Sequence, residues 1–201
     1  MKIDIKIFKI EIEWIFFTLL IISIFSLKVR GYFASYYVCY LFILFHEMAH
    51  ILVGSIFGQN VKILKLTTCG VSAVFENNIL YSNQSYIKKM LIFIAGPLSN
   101  LILALIFRKE VMIFQINMFL AILNIIPIFP LDGYNIVKIM VKNCKKDYTE
   151  YISYFLLIIL FIFSIIQVML YKTFTLLVFL VYLFLFKKIN EKNNINYHQR
   201  C

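Results

Sequence analysis

The stretch Phe45-His46-Glu47-Met48-Ala49-His50 decides how this chain is read, because it sets two histidines and a glutamate inside an apolar run. That run, from about Ala34 to Phe57, is long enough to cross a bilayer as one helix. On a helix, a four-residue spacing returns His50 to within about 40° of His46 at ~3.6 residues per turn. Two imidazoles one turn apart can ligate one zinc ion, and Glu47 lies beside them to act on a water molecule. The competing reading is a chance match. It is weakened by the scarcity of histidine, three in 201 residues. It is weakened further by the cost of an ionisable side chain at bilayer depth, about 2.5–3.5 kcal/mol on insertion scales.

Composition agrees with a membrane setting. The chain is 62% hydrophobic and 17% aromatic, with a mean hydropathy of +0.87, well beyond the ~45–50% apolar content of soluble domains. The net charge of +10 does not point to nucleic acid, because the basic residues flank apolar runs instead of clustering in one arm or face. The four cysteines, Cys39, Cys69, Cys144 and Cys201, have no paired spacing, so neither a disulfide framework nor a cysteine zinc site is expected. No small-residue cleavage site follows the first apolar run, so that run is read as a retained span, not a removed signal peptide.

Taken in order, the apolar runs suggest six spans. They are about Ile12–Leu27, Ala34–Phe57, Met90–Phe107, Val111–Pro130, and two from the long run Tyr151–Phe186, which must fold back near Lys172. Gly58-Gln59-Asn60 suits a helix cap and turn. Between spans two and three, Val61–Glu76 mixes β-branched and polar residues around Gly70, as a short hairpin or irregular sheet would; an ordinary loop is the alternative. The expected fold class is therefore an all-α polytopic membrane protein, six transmembrane helices with a short β-hairpin-like segment between helices 2 and 3. Residues 1–188 form the core, and 189–201 form a polar cytosolic tail without a stable fold of its own. With six spans, 15 of the 20 Lys and Arg residues (all but Lys28, Arg30, Arg108, Lys109 and Lys172) fall on the side of both termini. The positive-inside rule makes that side cytosolic.

A catalytic zinc usually takes three protein ligands and a water. Of the acidic residues within or bordering the spans, Glu11, Glu13 and Glu110 read as interfacial charges. That leaves Asp132, just past a helix broken by Pro127 and Pro130, in the same half of the bilayer as the histidines. A turn-capping aspartate before Gly133 is the alternative. Gly96 and Pro97 inside span three call for close helix packing, and Asn100 needs a partner for its amide.

Three motifs in this order, His46-Glu47-Met48-Ala49-His50, Ala95-Gly96-Pro97-Leu98-Ser99-Asn100 and Asn124–Gly133, resemble the site-2 protease family of intramembrane zinc metalloproteases. The resemblance covers about residues 34–140 and is greatest to the compact group that includes stage IV sporulation protein FB. It implies one zinc ion on His46, His50 and Asp132, with Glu47 as general base and Asn100 and Asn124 lining the active-site region. It implies peptide-bond hydrolysis in or near a transmembrane segment of a membrane-associated substrate, at a cytosol-facing site. In the sporulation case the substrate would be a sigma-factor pro-form, and membrane regulatory proteins would be partners. The host would be a bacterial cell membrane. An unwound substrate could add as a strand along 61–76, so Gly70 and Val71 are candidate substrate-binding residues.

Departures from the family pattern are Ala49 before the second histidine, Tyr134 where a second glycine often follows the aspartate, and Thr68-Cys69-Gly70-Val71 in the hairpin. No inserted PDZ domain and no C-terminal CBS domain are expected from these residues. The rival function is a catalytically silent scaffold or a metal transporter that keeps the zinc site.

Overall fold

The computed structural model describes residues 2–4, 9–25, 27–68, 70–76, 79–81, 84–141, 148–172 and 174–198. Cys69, Cys144 and Cys201 lie outside these, and Cys39 is a free thiol. In chain order the elements are strands β1 (Lys2–Asp4) and β2 (Lys9–Ile12), helices α1 (Trp14–Phe25) and α2 (Leu27–Ile56), strands β3 (Val61–Thr67) and β4 (Gly70–Phe75), and a short 3-10 turn at Ile79–Tyr81. Helices α3 (Tyr86–Ile106), α4 (Val111–Ile125), α5 (Asp132–Val141), α6 (Thr149–Tyr171) and α7 (Thr175–His198) follow. The chain divides into two compact units, residues 1–124 and 125–201.

In the first unit the expected hairpin is present, but it belongs to a four-stranded sheet of order β1-β2-β3-β4. The all-α expectation therefore gives way to a mainly helical chain with a small sheet. Strands β1 and β2 pair antiparallel, β2 and β3 parallel, and β3 and β4 antiparallel. The register sets Lys2 opposite Glu11, Asp4 opposite Lys9, and Glu11 opposite Lys65, so unlike charges face each other across the ladders. Glu11 is thus a residue of strand β2, three positions before α1. The mixed pattern in β3 comes from an irregularity between Val61 and Ile63, where one extra residue shifts the phase. Val61 and Leu64 are both buried for that reason, though three residues apart. One face of the sheet packs on α1 and α2 through Leu64, Val71, Phe16 and Tyr40, the last two stacked at 4.6 Å.

Helix α2 starts earlier than the apolar run suggests, so Lys28 and Arg30 lie within it and not in a connecting turn. It ends as Gly58-Gln59-Asn60 predicts. Gly58 takes φ +76°, and the amides of Gly58 and Gln59 donate to the carbonyls of Ser55 and Gly54 at 2.9 and 2.8 Å.

In the second unit, Ile128, Leu157, Leu180 and Leu183 form the core between the proline segment, α6 and α7. Three amides around the two prolines find acceptors. Phe129 N–H donates to Ser153 Oγ at 3.3 Å, Ile128 N–H to the Ile126 carbonyl and Leu131 N–H to the Ile128 carbonyl, both at 2.8 Å. The long apolar run turns at Lys172, which takes φ +53° as the cap of α6. Helix α7 continues through His198, into the stretch expected to be a polar tail.

Among the described residues, three helices are long and apolar enough to cross a membrane: Ala34–Ile56, Tyr86–Ile106 and Thr149–Tyr171. Helix α1, with 12 residues, reaches only about 18 Å at ~1.5 Å per residue, against a hydrocarbon core of ~30 Å. Apolar helices Val111–Ile125 and Leu176–Leu185 are also shorter.

Glu13, outside the helices, ties the sheet to α1. Its Oε2 accepts from the amide and the hydroxyl of Thr68, both at 2.9 Å. These bonds hold its carboxyl below the ordinary carboxylate value. A depressed folded value contributes stability above the unfolded pKa, and that contribution is lost as the pH falls through the folded value. Amide exchange at Thr68, corrected for its intrinsic rate, should keep constant protection from about pH 8 to 5 and lose it below about pH 4. In Glu13→Gln protein that acid step should vanish; a step of equal size in both proteins would break the assignment.

Candidate metal centre

His46 and His50 stand one turn apart in α2, buried at 5% and 6% exposure, and face α3. Their rings meet edge to face with centroids 4.8 Å apart. Each Nδ1 is committed elsewhere. That of His50 lies 2.7 Å from the Ile92 carbonyl, and that of His46 lies 3.3 Å from Asn100 Oδ1. A carbonyl can only accept, so the assigned tautomer carries its proton on Nδ1 of each ring. In neutral rings both Nε2 atoms are then acceptors, and they face each other at 3.2 Å. A cation between them satisfies both lone pairs. Tetrahedral zinc with Zn–N bonds of ~2.0–2.1 Å separates two nitrogens by about 3.3 Å, so the pair fits that ion.

Helix α3 is shaped around this pair. A Cβ added at Gly96 would collide with His50 Nε2 and stand 2.6 Å from His46 Nε2, so only glycine lets the helices approach this closely. Pro97 follows inside the helix and cannot donate to the carbonyl four residues back, Phe93. Just before that loosened turn, the Ile92 carbonyl receives the His50 ring. Asn100 is fully buried, and its Oδ1 takes both the His46 ring and the Ser99 hydroxyl, each at 3.3 Å. Its amide thus orients a histidine from behind, the usual outer-shell arrangement of a metal site.

Glu47, half-buried next to His46, accepts the Ala73 amide of β4 at 3.2 Å through Oε2. Nothing in the sequence pattern links those two residues; the fold of the sheet onto α2 does. Gly70 takes φ +150°, which favours glycine, and its carbonyl already accepts from Thr67 Oγ1 at 3.0 Å and Tyr40 OH at 3.4 Å. Val71 turns its side chain into the core. Of these two candidate substrate-binding residues, Val71 offers a substrate only its backbone, and the Gly70 carbonyl is already engaged. Asn124 donates back to the Leu120 carbonyl of its own helix at 3.0 Å.

In the second unit, Asp132 opens α5 and is half-buried, a position that also favours a carboxylate at a helix N-terminus. Gly133 is required there, since a Cβ would run into the Ile125 carbonyl and stand 2.6 Å from the Ile126 oxygen.

Residues 108–164 match the model of peptidase family M50. That stretch holds Asn124 and Leu131-Asp132-Gly133 and starts beyond the histidines. In fold, the chain is similar to a site-2 protease from Methanocaldococcus jannaschii, with a TM-score of 0.62 at 19% identity over 92% of both chains. At that identity the likeness shows the fold. No curated protein matches the sequence. The family match and the fold both agree with the resemblance to site-2 proteases read from the three motifs.

If Gly96 exists to admit the histidine rings, Gly96→Ala should lower zinc affinity at least tenfold while the protein still folds in detergent. Chelator competition on purified protein measures this. Affinity equal to that of the wild type would show that the helices have room to spare.

Proposed function

We propose that the protein is a zinc-dependent intramembrane endopeptidase of the site-2 type, and the observation that carries this is the pair of Nε2 atoms 3.2 Å apart with both Nδ1 atoms committed. The ion would be held by His46, His50 and Asp132. Support for Asp132 is its carboxylate chemistry and its place in a Leu-Asp-Gly triplet inside the M50 match. When bound, zinc supplies the positive charge that acidifies water and polarises a carbonyl.

Glu47 takes a proton from the attacking water and returns it to the leaving amine. Asn100 keeps the His46 ring aimed. Burial of the histidine pair keeps the surroundings poor in bulk water, which strengthens each of these electrostatic contacts. A substrate helix must unwind before its carbonyl can be attacked, since its amides are otherwise bonded internally. Within the described residues β4 is an edge strand, so an unwound segment can pair with it. A carbonyl of that segment would take the Ala73 amide in place of Glu47, freeing the carboxylate for the reaction.

The reading places the chain as a multi-pass protein with both termini cytosolic and the site toward the cytosol. The three long helices would be completed by α1, α4 and α7 as shorter spans in a locally thinned bilayer. The substrate class is a membrane-associated protein cut in or near its membrane segment, a sigma-factor pro-form being the sporulation case.

Glu47→Gln should cut turnover of a co-expressed membrane substrate by ~10²–10⁴-fold with zinc still bound. Turnover near wild type would sink the general-base role. Asp132→Asn should lose stoichiometric zinc when the protein is purified, and full retention would remove Asp132 from the ligand set.

A further inference from the structure

The second unit contains a buried cation that the proposed reaction does not use. Lys187 of α7 is 3% exposed, and its ammonium donates to Glu150 Oε2 at 2.6 Å, at the start of α6. The same ammonium lies 3.5 Å from the centroid of the Tyr154 ring. The other oxygen of Glu150 accepts the hydroxyl of Tyr134, in the first turn of α5. Tyr134 is itself buried, its ring set edge to face against Phe129 at 5.5 Å, with Lys138 Nζ 5.5 Å above it. One chain of charge-assisted hydrogen bonds thus runs from α7 through α6 to a residue two positions after Asp132.

Bonds of this kind are shorter, stronger and more directional than neutral ones. Removing one partner of a buried charge leaves the other uncompensated, so the chain tends to hold as a unit. On its other side the same turn of α5 is fixed by Gly133, which admits the backbone of Ile125 and Ile126. Between these two contacts the backbone of residues 132–134 has little freedom to rotate.

We infer that Tyr134, Glu150 and Lys187 are positioning residues that set the orientation of Asp132 and thereby the affinity of the centre for a divalent metal. This rests on the proposed role of Asp132 as a ligand.

The test is Tyr134→Phe, which deletes one oxygen and keeps the ring against Phe129. Chelator competition with zinc and the visible spectrum of the cobalt-loaded protein are the readouts, with kcat and KM measured beside them. Zinc affinity should fall about tenfold to a hundredfold, the cobalt bands should shift, and kcat should drop with KM held. A purely structural tie would lower the melting temperature and leave affinity and spectrum as in the wild type, which would overturn the inference. Should Tyr134→Phe fail to fold, Lys187→Arg and Lys187→Met give the same information. Arginine should retain near wild-type zinc affinity and methionine should lose it tenfold or more; equal affinities in the two would overturn the inference. Asp132→Asn separates the two levels. If it keeps zinc, the ligand assignment falls. If it loses zinc while Tyr134→Phe does not, only the positioning role falls.

Discussion

The close approach of α3 to α2 is the contact on which the first unit depends. Gly96 removes the side chain that would keep the helices apart, and Pro97 loosens the turn beside the carbonyl that receives His50. Asn100, one turn further along, takes the His46 ring. The features that look anomalous in a membrane helix, a glycine, a proline and an asparagine within five residues, are all used on one histidine pair. A polar side chain in hydrocarbon needs a partner inside the protein. Here each ring is fixed by a buried acceptor, and the two Nε2 atoms are brought within 3.2 Å of each other.

The same requirement explains the sheet. Its strands bring apolar faces onto α1 and α2, and the amide of Ala73 on the edge strand β4 is met by a carboxylate. The hairpin around Gly70 was legible from β-branched residues on both sides of a glycine. The two N-terminal strands were not read from the sequence, although Lys9-Ile10-Glu11-Ile12-Glu13 and Lys2-Ile3-Asp4 alternate in polarity. That period of two is hidden when the charges are weighed only as topology signals. Helix extents were the least legible. Lys28, Arg30 and Gly31 resemble a connection, yet α2 runs through them, because composition marks where a chain can leave hydrocarbon and not where a helix must stop.

The histidine motif was readable because its ligands are four residues apart and the helix itself brings them together. Contacts that depend on the return of distant elements leave no such trace. Glu150 and Lys187 are 37 positions apart and stand at the two edges of the apolar run Tyr151–Phe186. Neither spacing nor periodicity relates them. Only the packing of α7 on α6 pairs a buried ammonium with a half-exposed carboxylate. Asn124 shows the opposite case: its place in a motif was plain from sequence, while its side chain is turned back onto its own helix.

Glu47 joins these two kinds of information. Its proposed role as the base follows from adjacency to His46, but its present bond is to a strand 26 residues away. A carboxylate that accepts an edge-strand amide does there what the carbonyl of a neighbouring strand would do. In the proposed reaction a substrate strand would bring such a carbonyl, so the two compete for one donor. The amide stays satisfied in either state, which matters because an orphaned N–H shut off from water costs several kcal/mol. The exchange is thus close to neutral for the strand, and its consequence falls on the carboxylate, which moves from holding the sheet to acting on water. Substrate pairing and base release are therefore one event in this arrangement, since the hydrogen bond that ends one begins the other.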